Sequence, residues 1–176
     1  NYYSLQPLVV KKDLDDKFRV IDGQQRLTTI YIILNAFESF AQTKDKNKYK
    51  LSYDREGSEN FLQDIKNDLY REKHKTDNID FSFFANAYDY VIIWIEDQKL
   101  NEDYIEKFMT FIRSSSDIDD DKDIENNIRF IWYELNEEDD EFETFIRLNI
   151  GKIPLTNAEL IKSFVIQSFK SEEKRF

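Results

Sequence analysis

The 176-residue chain has no cysteine, a single histidine, two prolines and three glycines. Without cysteine it can form neither a disulfide nor a thiolate zinc site, and it is compatible with the cytoplasm. So few glycines and prolines leave little turn chemistry for a many-stranded sandwich or barrel, so long helices are expected instead. No apolar run reaches the roughly 18 residues of a spanning helix, and no signal-peptide pattern is visible, so no membrane partner is expected. Basic residues are also in deficit. There are 25 against 36 acidic ones, for a net charge of −11. Phosphate binding rests on clustered lysine and arginine, which argues against a DNA-binding surface spread over the whole chain but leaves room for one local basic site.

What is present is material for a core. Hydrophobic residues make up 40% and aromatics 15%, with 15 Phe and 10 Tyr, which excludes a disordered chain. The length suits one domain, or one and a piece. The chain opens at Asn1 inside a strand-like run and is expected to be a fragment of a longer protein.

Tyr3 to Lys12 and Lys17 to Ile21 read as strands joined by a polar hairpin connection at residues 13–16. Pro7 places the first strand at an edge or a bulge. A helix is expected from about Gln24 to Gln42, because Leu27, Ile30, Tyr31, Leu34, Phe37 and Ala41 fall on one buried stripe. Thr43 to Gly57 reads as a charged loop with a short apolar break at Tyr49 to Tyr53 that suits a brief strand. Helical patterns follow at about Ser58–Tyr70, Phe81–Gln98 and Asn101–Ser114. The Phe and Tyr stripes at helical spacing are assigned to the core, with Phe84, Ala87, Tyr88, Val91, Ile92 and Ile95 on one side of the helix at Phe81–Gln98. Asp117 to Asp123 is an acidic loop; it fails as a calcium loop because Lys122 and Ile128 stand where Gly and Glu are needed. Asn127 to Leu135 alternates as a strand, and helices at about Glu141–Leu148 and Asn157–Lys170 close the chain. His74 is placed in an exposed loop.

The stretch with chemical content is Phe18 to Thr29, FRVIDGQQRLTT. It reads as a strand, a one-glycine turn and a helix with a polar first turn. Asp22 with Gln25 makes a capping-box pattern. Gly23 permits a backbone closed to other residues, or the close approach of a ligand. A helix start favours an anion, and Arg26 adds a two-pronged phosphate donor. Gln24 and Gln25 suit a base, a ribose or a water, and Asp22 suits a metal ion bridging phosphates. The same residues equally suit a plain cap, with Arg26 paired to an acidic surface.

Asp22-Gly23-Gln24-Gln25-Arg26, with the hairpin before it, resembles the signature of the N-terminal domain family of GmrSD-type restriction endonucleases, whose fold is related to ParB and sulfiredoxin. A second stretch, Phe145 to Lys162 (FIRLNIGKIPLTNAELIK), resembles the family's second block: a helix ending in Arg-x-Asn, a glycine turn, then Pro-Leu-Thr opening another helix. Thr156 and Glu159 form a capping box there, and Gly151 suits the turn.

The resemblance implies a domain that binds and hydrolyses a nucleoside triphosphate with Mg²⁺, coupled to restriction of foreign or modified DNA. It implies Asp22, Gln25 and Arg26 as catalytic residues and Asp22 as the metal ligand. Nucleotide binding falls to Gly23, Gln24, Gln25, Arg26 and Thr28, joined by Arg147, Asn149 and Lys152. The family's DNA-cleaving part is often a separate C-terminal His-Asn-His-type nuclease domain, and nothing like it occurs in this sequence. The family's more N-terminal Tyr-Gln-Arg-Pro-like block is also lacking, so part of the pocket is expected to be missing.

The expected fold is α+β: a ParB/sulfiredoxin-like strand–helix unit at residues 1–45, packed on a mainly helical remainder at residues 46–176. Two other functions stay open beside nucleotide-dependent restriction. One is a non-catalytic ParB-like module that binds nucleotide or DNA as a switch; the other is a scaffold for the nuclease.

Overall fold

The computed structural model describes residues 3–13, 17–41, 49–113 and 128–150. Among these it has three strands, β1 (Tyr3–Lys12), β2 (Phe18–Asp22) and β3 (Ile128–Leu135), in one sheet of order β2-β1-β3. The helices are α1 (Gln24–Ala41), α2 (Ser58–Gln63), α3 (Asp68–His74), α4 (Ile79–Asp97), α5 (Glu102–Arg113) and α6 (Glu141–Asn149). The fold is α+β. The chain divides into two compact units, Asn1–Leu8 with Gly23–Trp132 and Val9–Asp22 with Tyr133–Phe176, so the boundary passes through β1 and β3.

In the first unit α1 is the central helix. Its expected single stripe proves too narrow a description, because Tyr31, Ile32, Leu34, Asn35, Ala36, Phe37 and Glu38 are all buried. The reason is that two clusters claim different sides of it. Tyr31, Ile32 and Ala36 pack with Phe61, Leu62, Ile65, Phe81, Ala85 and Tyr88. Leu34 and Phe37 pack with Ile95, Ile105 and Met109, and Phe37 stacks on Phe108 at 4.4 Å between ring centroids. Two polar side chains follow the helix inward. Asn35 donates to the Tyr31 carbonyl at 2.7 Å, and Glu38 accepts from Lys66 Nζ at 2.9 Å.

The pattern at Ser58–Tyr70 resolves into two helices rather than one. Asn67 restarts the chain as an N-cap, its side chain accepting from the Tyr70 amide at 3.2 Å. The break is held from inside by Arg71, whose Nη1 donates to the Ile65 carbonyl at 2.7 Å while Nε donates to Asp89 at 3.0 Å. Caps also set the starts of α4 and α5. Asn78 accepts from the Asp80 amide at 2.8 Å, and Asn101 from the Tyr104 amide at 2.8 Å. His74 ends α3 rather than lying in a loop, half-buried against Tyr70 and 2.7 Å from Asp77.

In the second unit β1 and β2 pair antiparallel as the hairpin reading expects, with Val10 opposite Val20 and Lys12 opposite Phe18. The register slips between Val9 and Val10, two residues after Pro7, as a bulge or a comparable irregularity produces. The edge assignment for β1 is corrected, since β1 is the middle strand. Lys11 donates to the carbonyls of Glu137 and Asp139 at 3.1 and 2.9 Å, and Arg19 Nη1 donates to both carboxylate oxygens of Glu141 at 3.1 Å. Asp140 caps α6 by accepting from the Glu143 amide at 2.8 Å. The acidic loop at 117–123 and the helix expected at 157–170 lie outside the described residues.

Candidate functional site

β2 ends at Asp22, opposite Val9 on β1, and the chain then enters α1 through Gly23. Gly23 has φ of 105°. Its carbonyl accepts from the Leu27 amide at 3.0 Å, which makes it the cap residue of α1. A Cβ here would collide with the Leu8 side chain and stand 3.0 Å from Arg26 Nη2, so backbone angle and space both demand glycine. The cap therefore lies one residue later than the Asp22–Gln25 box supposes, with Gln24, Gln25 and Arg26 forming the first helical turn.

Gln24 and Gln25 are exposed on that turn, whereas Arg26 is half-buried. Arg26 folds back onto β1, with Nη1 donating to Gln6 Oε1 at 2.6 Å and Nη2 to the Pro7 carbonyl at 2.8 Å. Thr28 Oγ1 donates to the Gln24 carbonyl at 2.9 Å and is 2.5 Å from the Tyr53 hydroxyl, which is left to donate to it. Tyr49 donates its hydroxyl to the Leu27 carbonyl at 2.5 Å. Burial raises the pKa of both tyrosines above the ordinary value, so both remain neutral donors.

The sequence pointed to the turn but missed what braces it. Gln6, Pro7, Tyr49 and Tyr53 come to α1 from outside the motif, and the 49–53 segment that brings the two tyrosines is irregular rather than a strand. Only its apolar character within a charged loop hinted that it is tied down.

The structure brings Gly23, Gln24, Gln25, Arg26 and Thr28 together at the start of α1, with Asp22 preceding them in the chain. Arg147 and Asn149 belong to the second unit, where both are held within α6: Arg147 donates to Glu143 at 2.6 Å and Asn149 to the Phe145 carbonyl at 2.7 Å. Lys152, Gly151 and the Thr156–Glu159 box lie outside the described residues.

These features define an α+β domain with a polar, glycine-gated turn at the entry to its central helix. The chain matches the family described as GmrSD restriction endonuclease, N-terminal domain, over residues 1–166, and it belongs to that family. Its role is accordingly related to DNA restriction. No curated protein and no solved structure matches it. Among the described residues no helix is long and apolar enough to cross a membrane.

Proposed function

We propose that this chain is the nucleotide-binding and nucleotide-hydrolysing domain of an NTP-dependent restriction endonuclease acting on foreign or modified DNA. The observation that carries the reading is the Gly23 turn. A glycine at φ 105° caps an 18-residue helix, and the next two side chains, Gln24 and Gln25, are exposed. The first amides of a helix lie outside its own hydrogen-bond ladder and carry the positive end of its dipole, which suits a phosphate group. The glycine at Gly23 is what lets Leu8 and Arg26 pack against the turn that presents this helix start.

In this reading Gln24 and Gln25 contact the nucleotide or orient a water, Thr28 stiffens the turn, and Arg26 supplies fixed positive charge from its seat on β1. Asp22 is the candidate ligand for Mg²⁺. Among the described residues no group of three or more acidic or histidine side chains could hold a metal. Mg²⁺ delivered on phosphates needs only one or two protein carboxylates, and in this reading Asp22 supplies one. DNA is the partner of the whole protein, and its cleavage is assigned to a nuclease domain C-terminal to this chain.

One observation favours a second reading, a ParB-like module that binds nucleotide or DNA without hydrolysis. Arg26 directs two of its donors to Gln6 and Pro7, which gives it a bracing role independent of any reaction. Calorimetric titration with Mg-ATP and Mg-GTP, together with phosphate release by the whole protein, separates the two. Binding with turnover, both lost in Gln25→Ala while melting is unchanged, supports the enzyme. Binding without turnover supports the module, and no binding sinks both.

A further inference from the structure

In the first unit a cavity of about 270 Å³ lies between α1, the 49–51 segment and α2. Tyr31, Tyr49, Leu51 and Leu62 form its walls, and the two tyrosine rings meet edge to face at 5.7 Å between centroids. Aromatic and aliphatic walls with a few polar groups are the usual make-up of a small-molecule site. The volume falls at the lower end of such sites, roughly 300 Å³, so it admits a planar ring system rather than a whole nucleotide.

Its polar groups are Lys50, Glu59 and Gln63. Gln63 Nε2 donates to Glu59 Oε1 at 3.0 Å, one turn apart on α2. That bond leaves Glu59 Oε2 and Gln63 Oε1 as acceptors and Lys50 as a donor. Among the described residues none of these three has another hydrogen-bond partner. Burial raises the pKa of the Tyr31 hydroxyl and the charge of Glu59 adds to the rise, which places that carboxylate near the aromatic wall. Two acceptors beside one donor discriminate among the bases. Guanine presents two adjacent donors, N1–H and the 2-amino group, next to the O6 acceptor. Adenine, cytosine and uracil each present a single donor group on the same edge, so one acceptor of the cavity would face a lone pair.

The Gly23 turn and the cavity lie along one helix. Gly23, Leu27 and Tyr31 recur every four residues on one side of α1, and the first and last are about 12 Å apart at 1.5 Å per residue. Tyr49 links the two places, with its ring in the cavity wall and its hydroxyl donating to the Leu27 carbonyl at 2.5 Å. Building on the nucleotide reading of the Gly23 turn, we propose that this cavity is a guanine subsite. The base packs against Tyr31 and Tyr49, Glu59 and Gln63 accept from N1–H and the 2-amino group, and Lys50 donates to O6. Base selection then falls to residues outside the Asp-Gly-Gln-Gln-Arg motif.

The test is calorimetric titration of the whole protein with Mg-GTP, Mg-ATP and Mg-ITP, whose base is guanine without the 2-amino group. GTP is expected to bind at least tenfold more tightly than ATP, with ITP weaker than GTP. Glu59→Gln, which can still accept from Gln63, should bring GTP to within a factor of two of ATP while the melting temperature and the ATP affinity hold. Should that variant melt early, Lys50→Met at an exposed side chain is the second test, with at least a fivefold loss of GTP affinity expected. Equal affinity for GTP and ATP, ITP bound as tightly as GTP, or a GTP preference that survives both substitutions would overturn the subsite and leave the nucleotide reading standing. Binding of none of the three nucleotides would overturn the nucleotide reading itself, and the subsite with it.

Discussion

Arg26 Nη2 donates to the backbone carbonyl of Pro7 at 2.8 Å, so the cation of the Asp-Gly-Gln-Gln-Arg motif braces α1 against β1. Pro7 has no amide of its own to offer, and its carbonyl gains a charged donor, the stronger class of hydrogen bond. The motif therefore has a folding role alongside any chemical one. Loss of activity in an Arg26 variant must be read beside its stability.

The Gly23 turn gives the sharpest stability test. Gly23→Ala is expected to cost on the order of 1–3 kcal/mol, from a non-glycine residue at positive φ together with the clash against Leu8. Adding Leu8→Ala should relieve the clash but not the backbone angle. A double-mutant cycle by urea unfolding is then expected to show coupling between the two sites, and strict additivity would mean that the clash is absent.

Gln25→Glu separates a helix cap from a phosphate site by the direction of two effects. A carboxylate in the first turn of α1, which has no acidic residue there, should stabilise the helix by roughly 0.3–1 kcal/mol. The same charge should repel a triphosphate and weaken its binding at least tenfold. Thermal melting and calorimetric titration on one preparation give both values. Higher stability with unaltered nucleotide affinity would reduce the turn to a cap.

Glu38 is 2% exposed and is paired with Lys66 at 2.9 Å. Lys66→Met takes the cation from a buried carboxylate and should cost about 3 kcal/mol. Replacing both members, Glu38→Leu with Lys66→Met, should recover most of that loss. If the double variant is as unstable as the single one, the pair is not what the carboxylate depends on.

Tyr49 predicts a pH dependence on the alkaline side. Burial raises its folded-state pKa well above the ordinary 10. The unfolded chain therefore releases this proton first, and the folded state holds more protons once the pH exceeds about 10. Stability should be level below that value and fall as pH rises through it. The urea midpoint measured from pH 8 to 11 should fall less steeply in Tyr49→Phe, and equal slopes would assign the fall to other groups.

Much of the local structure was legible in the sequence. Tyr3–Lys12 appears as a strand with the expected ends, and α1 starts at Gln24 as the polar first turn implied. These features arise within a few residues: alternation in a strand, three- and four-residue spacing in a helix, and a glycine where the chain turns. The family was legible for the same reason, because the Asp22–Arg26 signature is five consecutive residues. Even so, the helix break at Asp64–Asn67 was missed, since the apolar spacing runs through it and only the reach of Arg71 to the Ile65 carbonyl shows how it is held.

The sequence by itself determined the types of most elements, the family and the place of the motif turn, because each is encoded in contiguous residues. Only the tertiary structure decided that β1 is the middle strand, that α1 is buried on more than one side, and that Gln6, Pro7, Tyr49 and Tyr53 brace the motif. It also decided that Phe83, Tyr90 and Trp94 face outward although they share the spacing of core residues. Helical periodicity states which side chains lie on one face. Which face is covered depends on neighbours distant in the chain, and no local pattern records them.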